Sequence, residues 1–240
     1  MSREALSQNS LEVWYTSCAD IDEETFHRAE TQILVREERE RMYRYRQPSD
    51  RRLYLAARLL LRSMLEAFTG VAAKDWRFRF NEHGKPETEE GFPPVHFNIS
   101  HSKDLAICVM HPGQEVGVDV EPIDRQIDSG TASSVLIERE WESYSESPEE
   151  QRSEVFIKYW VLKEAYIKAT GRGLFMPLTD FFFEFDNAGN PQLNSRLTEG
   201  EEAEDWSFFE FQPAGGYAAA AAIRNHSSQV VDLNVRRFRP

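Results

Sequence analysis

Asp119 and Glu121 are the pair of residues whose type and spacing most directly suggest chemistry. They lie in an alternating segment, 115–121, that predicts a β-strand, and alternate side chains of a strand point to the same face. Both carboxylates would then share one face, about 7 Å apart along the strand. They repel each other unless a cation lies between them, and oxygen ligands suit Mg²⁺ or Mn²⁺. An edge strand with a solvated acidic face would show the same pattern.

A second group of reactive side chains lies on a predicted helix. Trp160, Glu164 and Lys168 are spaced four residues apart and so share one helix face. The order of glutamate and then lysine is typical of a surface ion pair, which is one explanation of the pattern. The tryptophan indicates a partly buried face, where a carboxylate needs a partner. On that interpretation Glu164 is a third metal carboxylate beside the Lys168 ammonium.

Two short polar segments could bind an anion. Ser100, His101 and Ser102 fall in a predicted turn, 100–104, where they offer several hydrogen-bond donors to a phosphate. Lys85 falls in a second predicted turn. Each also has a simpler explanation. His101 could be an ordinary turn residue, and Lys85 could be a solvated lysine. The sequence shows no nucleophilic triad, no zinc-ligand spacing and no phosphate-loop or dinucleotide motif.

These side chains would be positioned by a mixture of helices and strands, which hydrophobic period, caps and breakers predict. Asp50 is predicted to cap the start of the second helix, and Gly70 and Gly171 to end the second and the fourth. The predicted helices are 21–46, 50–68, 133–145 and 153–169. The predicted strands are 11–16, 76–80, 97–99, 105–110, 115–121, 181–185, 206–211, 217–223 and 230–235.

The segment 78–86 recurs in pattern at 183–191, each time as a strand followed by a tight turn. A long helix ending in glycine precedes both copies, and further strands follow, although strand-turn chemistry alone could produce the short match by chance. The shared order predicts an α+β fold of two similar halves related by pseudo-twofold symmetry, each with a long helix packed on an antiparallel sheet. We place the halves at 1–114 and 115–240, with a site at their junction, where clefts are favoured.

Charge and composition exclude several classes of protein. The chain has a net charge of −13, which argues against general nucleic-acid binding. Residues 36–62 nevertheless hold nine arginines and four acidic residues, which indicates either a solvated, salt-bridged helix face or a local anion-binding patch. There is no apolar run of membrane-spanning length and no apolar signal core near the first residue, and the two cysteines match no metal or redox spacing. We therefore expect a cytoplasmic protein that does not enter a membrane.

Taken together, four segments resemble the larger, surfactin-synthetase-type class of 4′-phosphopantetheinyl transferases, in order and spacing as well as in motif. The matching segments are 84–86, 97–102, 117–121 and 160–174. The resemblance implies a two-halved, pseudo-symmetric α+β fold, in agreement with the repeat. It also implies a reaction in which coenzyme A is split at its diphosphate. The phosphopantetheine arm passes to a serine of an apo carrier protein, leaving adenosine 3′,5′-bisphosphate.

The resemblance assigns the acidic residues to a metal site in the second half. Asp119, Glu121 and Glu164 would coordinate Mg²⁺, or alternatively Mn²⁺, at the diphosphate of coenzyme A. Glu164 would also take the proton of the serine hydroxyl, directly or through a water molecule. Lys168 would stabilise the charge that grows on the diphosphate.

The first half would hold the phosphates of the cofactor through Lys85, Ser100 and His101. One position departs from the family pattern, because Leu53 stands where the family tends to place an arginine. The 3′-phosphate contact would then pass to a neighbouring arginine: Arg41, Arg51 or Arg52. The carrier protein would approach residues 171–174. Coenzyme A and carrier proteins are both anionic, which gives the arginine-rich stretch a rationale.

Two other functions could use the same residues. A metal-dependent diphosphatase acting on coenzyme A or a nucleotide would need the carboxylates but no surface for a carrier. A coenzyme A-binding regulator would bind without turnover. For the transferase we expect a monomer with no nucleic-acid partner, because a chain of two similar halves can form its site within one molecule.

Overall fold

The computed structural model describes residues 6–173, 176–195, 205–225 and 230–240. Its helices are α1 Glu23–Arg28, α2 Arg36–Arg44, α3 Pro48–Thr69, α4 Ser129–Val135, α5 Glu138–Glu146 and α6 Arg152–Thr170. Its strands are β1 Ser10–Ser17, β2 Phe78–Phe80, β3 Pro86–Thr88, β4 His96–Ser102, β5 Leu105–His111, β6 Val116–Pro122, β7 Phe181–Phe185, β8 Pro191–Ser195, β9 Trp206–Phe211, β10 Tyr217–Arg224 and β11 Asp232–Arg237. Among the helices in these ranges, none combines the length and the apolar character that crossing a membrane requires.

The strands form two main sheets and two hairpins. The first sheet has the order β11-β1-β5-β4 and the second the order β6-β10-β9, while β2–β3 and β7–β8 are separate hairpins. All strand pairs are antiparallel except β1 with β11. In both halves a first strand is followed by helices, a hairpin and two more strands, and these last two pair with the first in the same order. The predicted α+β fold of two similar halves is confirmed.

Apolar side chains fill three layers. The long helix α3 covers one face of the first sheet, and its leucines pack with residues such as Trp14 and Met110. The other long helix, α6, covers one face of the second sheet. Between the sheets lies a third layer of small and branched side chains, including Val13, Val118 and Ala221. The chain division at residue 114 stays a prediction, and β11 returns to pair with β1 in the first sheet.

The predicted helices 21–46 and 133–145 are each interrupted, so the sequence-based prediction was wrong there. The first breaks at Leu34 and Val35, which have extended backbones, and the second at Leu136 and Ile137. Both interruptions have the same cause. A buried glutamate three residues later accepts a hydrogen bond from the backbone N–H at the break, which starts a new helix.

Three predicted boundaries also need correction. Asp50 is not the N-cap of α3, because Pro48 already occupies the first helical turn and Gln47 precedes it. The predicted strand at 76–80 begins only at Phe78, since residues 73–75 form a short 3₁₀ turn. The predicted strand at 230–235 lies instead at Asp232–Arg237. The glycine ends were predicted correctly: Gly70 and Gly171 both cap their helices in the left-handed conformation, with φ of 79° and 68°.

Candidate active site at the seam between the halves

The two sheets meet along a seam, which we define as the line where edge strand β4 runs beside edge strand β6. Alternate polar side chains of β4 bond to β6 along this line. Asn98 Oδ1 accepts from Val118 N (3.0 Å), Ser100 Oγ donates to Asp119 Oδ1 (2.7 Å), and Ser102 Oγ donates to Glu121 Oε2 (2.7 Å). Two elements from different halves are therefore held together by the residues that flank the acidic pair.

Ser100 and His101 do not lie in a turn, which corrects the sequence-based prediction. Strand β4 continues through Ser102, and the turn follows at Lys103, which has a φ of 53°. The reason is pairing, because Ser100 lies opposite Ile107 in the β4–β5 ladder. Strand alternation then sends Ser100 toward β6 and His101 to the other face.

Helix α6 reaches the acidic strand because Gly117 has no side chain. A Cβ atom built at Gly117 would lie 2.1 Å from the Ala165 carbonyl oxygen and 2.4 Å from Ala169 N. No real side chain tolerates such contacts, so only glycine allows the helix to touch the backbone of β6. This close approach brings the half-buried face of α6, with Glu164 and Lys168, over Asp119.

Lys168 is the cation nearest to the buried carboxylate. Its Nζ lies 2.5 Å from Asp119 Oδ1 and 2.9 Å from Ser100 Oγ. Asp119 is only 4% exposed, so this charge-assisted bond compensates a carboxylate that water cannot reach. Glu121 has a cation of its own, since Arg125 Nη1 donates to its Oε1 at 2.9 Å. The sequence did not indicate Arg125, which lies in a loop beyond the strand.

The remaining carboxylates are destabilised in their charged forms. Burial raises the pKa of Glu164, and the neighbouring Asp119 and Glu121 carboxylates raise it further against the opposing effect of Lys168. Burial also raises the pKa of Glu121, against the lowering effect of its bond from Ser102. Three acidic side chains thus share one cluster in which negative charge is not fully compensated.

The chemistry of this cluster fits a hard divalent cation. All its donors are oxygen atoms, and Asp119 Oδ2 is buried without a hydrogen-bond partner among the described residues. Within the described ranges, no three carboxylate, imidazole or thiolate groups already enclose a metal position. The bonds from Lys168 and the two serines hold Asp119 and Glu121 in their present positions.

A histidine of the first half lies near the cluster, and an arginine lies near that histidine. His101 is exposed. Partial desolvation by the surrounding protein lowers the pKa of His101, and the positive charges of Lys168 and Arg58 lower it further. Arg58 lies on α3 with its guanidinium over the ring of Tyr54, 5.3 Å from the centroid. Sequence reasoning missed Arg58, although a charged residue inside the apolar run 55–61 is a signal of special use.

The arginines singled out from the sequence lie around the start of α3. Arg51 Nε donates to the Tyr45 carbonyl at 2.8 Å, and Arg52 bonds to the Ile21 carbonyl and to Glu23. Arg41 is exposed, with its guanidinium 5.9 Å from the centre of the Tyr54 ring. Their assignment to the cofactor stays a prediction.

The side chain of Lys85 reaches from the first half to backbone carbonyls of the second half, and its ammonium does not bond to the acidic cluster. Its Nζ donates to the carbonyl oxygens of Ala169 (2.8 Å) and Val116 (3.2 Å). Burial lowers the pKa of Lys85 to about 8. Of the predicted carrier approach, residues 171–173 lie beside the same turn, and Leu174 lies outside the described residues.

Comparison with known proteins covers most of the chain. Residues 115–222 match the 4′-phosphopantetheinyl transferase superfamily, and residues 21–113 match the family described as 4′-phosphopantetheinyl transferase, N-terminal. The 4′-phosphopantetheinyl transferase HetI of Nostoc sp. is 33% identical over 79% of this chain and 78% of its own length. The 4′-phosphopantetheinyl transferase Sfp of Bacillus subtilis is 29% identical over 78% of this chain and 81% of its own.

A solved structure is also similar in part. The holo-[acyl-carrier-protein] synthase of Thermotoga maritima has a TM-score of 0.40 and 24% identity, over 48% of this chain and 66% of its own. That likeness is too slight to carry an argument, and the family rests on the sequence matches. The chain belongs to the 4′-phosphopantetheinyl transferase superfamily, in its surfactin-synthetase-type class, and is a transferase.

Proposed function

We propose that this chain transfers the 4′-phosphopantetheine arm of coenzyme A to a serine of an apo carrier protein, in a reaction that depends on Mg²⁺ or Mn²⁺. The observation that carries the metal requirement is the electrostatic coupling of Glu164 to Asp119 and Glu121, together with the buried Asp119 Oδ2, which has no hydrogen-bond partner among the described residues. These three residues would hold the cation. When bound, it would neutralise charge on the diphosphate and on the leaving bisphosphate.

The protein's own side chains supply the remaining chemistry. The serine oxygen bonds to the phosphorus that carries the pantetheine arm, and the P–O bond to adenosine 3′,5′-bisphosphate breaks. Glu164 takes the hydroxyl proton, a role that a carboxylate with a raised pKa suits. Lys168 lies 2.5 Å from Asp119 and would turn its charge toward the phosphoryl oxygens that accumulate negative charge.

The phosphates of coenzyme A would bind on the first-half side of the seam. Ser100 and His101 lie there at adjacent positions of β4 with side chains on different faces, so they would contact different oxygens of the phosphates, and Arg58 adds positive charge close to His101. The 3′-phosphate would lie toward the arginines at the start of α3, where we propose Arg41, Arg51 and Arg52 as candidates. Positive charge in this region would attract an anionic cofactor to an otherwise acidic protein.

The carrier protein would approach the second half near residues 171–173, which lie next to the C-terminal end of α6. An acyl, aryl or peptidyl carrier domain is the expected partner. Because both halves of the proposed site belong to one chain, we propose that the enzyme acts as a monomer, in the cytoplasm.

Mass spectrometry of a carrier domain tests the proposal. The protein is incubated with coenzyme A, MgCl₂ and a panel of apo carriers, and we expect at least one carrier to gain the mass of one phosphopantetheine arm. EDTA should abolish the gain and MnCl₂ should restore it. Release of adenosine 3′,5′-bisphosphate at the same rate without any carrier would instead support the diphosphatase. Binding of coenzyme A without turnover on any carrier would support a regulator.

A further inference from the structure

The two halves contain the same turn after their equivalent strands β2 and β7. In the first half, Asn81 Oδ1 accepts from the backbone N–H groups of His83 (2.9 Å) and Lys85 (2.8 Å). In the second half, Asp186 Oδ1 accepts from Ala188 N (2.9 Å) and Asn190 N (2.8 Å). Both turns are also closed by the same backbone bonds. The recurrence seen in the sequence therefore extends to individual hydrogen bonds.

The turns differ in what they contact outside themselves. Asn81 uses its amide, which Asp186 lacks, to donate from Nδ2 to the Gly171 carbonyl at 3.2 Å. Lys85 adds the bonds from Nζ to the carbonyls of Ala169 and Val116. In the second half, Asp186 and the residue equivalent to Lys85, Asn190, are exposed, and Asn190 Nδ2 bonds back to Asp186 within the turn.

The C-terminal ends of α6 and α3 differ in the same way. Gly171 and Gly70 end α6 and α3 in the same left-handed conformation. A Cβ at Gly171 would lie 3.2 Å from both Asn81 Nδ2 and the Cδ atom of Lys85, whereas a Cβ at Gly70 would meet nothing within 4 Å. The C-terminal end of α6 is therefore gripped by the other half, while that of α3 is open.

Asn81 and Lys85 donate to the carbonyl groups of Gly171 and Ala169, at the end of α6, where a helix leaves its carbonyls without intrahelical partners. The last carbonyls of a helix carry partial negative charge, and a cation there is stabilising. Lys85 is deeply placed, and the acidic residues that act on its charge are Glu115 and Glu87, not members of the acidic cluster. Its ammonium therefore binds carbonyls at the end of α6 and not the acidic cluster.

We propose that Asn81 and Lys85 form a clasp that positions the C-terminal turn of α6 against β6, and with it the side chains of Glu164 and Lys168. Lys168 immediately precedes Ala169, whose carbonyl the clasp holds, so a shift of this turn moves the ammonium directly. On this account both clasp residues are positioning residues, and Lys85 does not hold the phosphates of the cofactor. The activity part of the inference rests on the proposed transfer reaction.

The substitution Asn81→Asp tests the clasp with a matched control. It gives the first turn the residue that the second turn has, keeping the acceptor for His83 and Lys85 and removing the donor to Gly171. The control is Asp186→Asn, the reverse exchange in the open turn. We expect Asn81→Asp to lower kcat about 10-fold with the KM for coenzyme A changed less than about twofold, because the reacting groups are misplaced. The control should leave both constants unchanged.

Hydrogen exchange gives a readout that does not need activity. Amide exchange in a peptide covering the end of α6, including the bond from Gly171 N to Ile167 O, should be about 10-fold faster in Asn81→Asp and in Lys85→Met, because removing clasp bonds lets this turn open. Exchange at the end of α3 should not change. If no carrier were ever modified, this result would still decide the clasp separately from the reaction.

Binding of adenosine 3′,5′-bisphosphate separates the clasp from a phosphate contact. For Lys85→Met, the clasp predicts a dissociation constant within about threefold of the wild-type value, since no phosphate contact is lost. A dissociation constant raised more than about 10-fold, with unchanged exchange at the end of α6, would overturn the inference and return Lys85 to the cofactor. Thermal unfolding of each variant verifies that it is folded.

Discussion

The two halves share a buried ion pair at the same place in their framework. In the first half, Arg62 Nε on α3 donates to Glu38 Oε2 at 2.9 Å, and Glu38 caps the start of α2. In the second half, Lys163 Nζ on α6 lies 2.9 Å from Glu140 Oε2, and Glu140 caps the start of α5. Both cations also donate to carbonyls of the segment that follows their helix. The duplicated framework is therefore preserved in its most buried polar contacts.

The halves differ in the space between helix and strand. In the first half, Trp14 of β1 faces the long helix and packs on Phe68, with ring centroids 5.7 Å apart. In the second half, the strand face toward the helix carries Gly117 and Asp119, and the helix touches the strand backbone. A tryptophan fills the gap in one half, whereas a glycine closes it in the other.

The two long helices, α3 and α6, also differ at the positions that face these strands. Counted back from the glycine that ends each helix, Glu164 and Lys168 of α6 correspond to Ser63 and Ala67 of α3. All four are half-buried. Duplication thus supplies a scaffold with two equivalent positions for a site, and of the two long helices described, α6 has the close approach and the charged residues that the proposed chemistry requires. The first half contributes β4 and the clasp.

The largest effect is expected for Glu164→Gln, which makes the second helix more like the first. Transfer should fall by about 1,000-fold, because the proposed base and metal ligand is lost. The matched control is Ser63→Ala at the equivalent position of α3, which should transfer at the wild-type rate. Initial rates of carrier modification measure both. Wild-type activity in Glu164→Gln would remove Glu164 from both proposed roles.

The same variant has a predicted effect on stability that depends on pH. The pKa of Glu164 is raised in the folded state, so the fold favours the protonated carboxyl. The stability that the protonated carboxyl contributes is fully present below the ordinary pKa of glutamate, and it is lost as pH rises through the raised pKa. Without added metal, Glu164→Gln should therefore be more stable than the wild type at neutral pH, by about 1 kcal/mol. The advantage should disappear at low pH in urea unfolding.

The buried ion pairs should respond unequally. Lys163→Met leaves Glu140 buried without its cation and should cost about 3–5 kcal/mol of unfolding free energy. Arg62→Met should cost less, because Arg58 Nε lies 3.9 Å from Glu38 Oε1 and can compensate the charge. The exposed pair partner Arg36 supplies the control, since Arg36→Met should leave the urea midpoint unchanged. A greater loss in Arg62→Met than in Lys163→Met would contradict this comparison.

Gly117→Ala tests the close approach of α6, with a smaller expected loss of transfer than Glu164→Gln. One added methyl group must push the helix from the strand, at a cost of about 1–3 kcal/mol. The shift should also lower transfer about 100-fold, because Lys168 and Glu164 move with the helix. Gly215→Ala is the control, since a Cβ there meets nothing within 4 Å. Full activity in a folded Gly117→Ala variant would show that the contact with Gly117 does not position the site.

Much of this framework was predictable from local pattern. The valine alternation around Asp119 gave β6, the glycines gave the ends of α3 and α6, and the recurring strand and turn gave the two halves. These features depend on nearest neighbours along the chain, and their chemistry is stereotyped.

What the sequence did not reveal depends on contacts between distant segments. The polar run at Ser100–Ser102 looked like a turn because its partners on β6 lie about twenty residues further on. Glu38 and Glu140 start new helices where continuous ones were predicted, and each is also paired with a buried cation from another helix, a contact that local pattern does not show. Lys85 looked like an ordinary turn lysine, since nothing nearby in sequence shows that it reaches the end of α6.

Anomalous diffraction from crystals soaked with MnCl₂ and coenzyme A tests the central claim most directly, namely that the seam holds a divalent cation. We predict one strong manganese peak within bonding distance of carboxylate oxygens from Asp119, Glu121 and Glu164, and its loss in Asp119→Asn. A coenzyme A complex at saturating Mn²⁺ with no peak at these carboxylates, or with the metal bound elsewhere, would contradict the account.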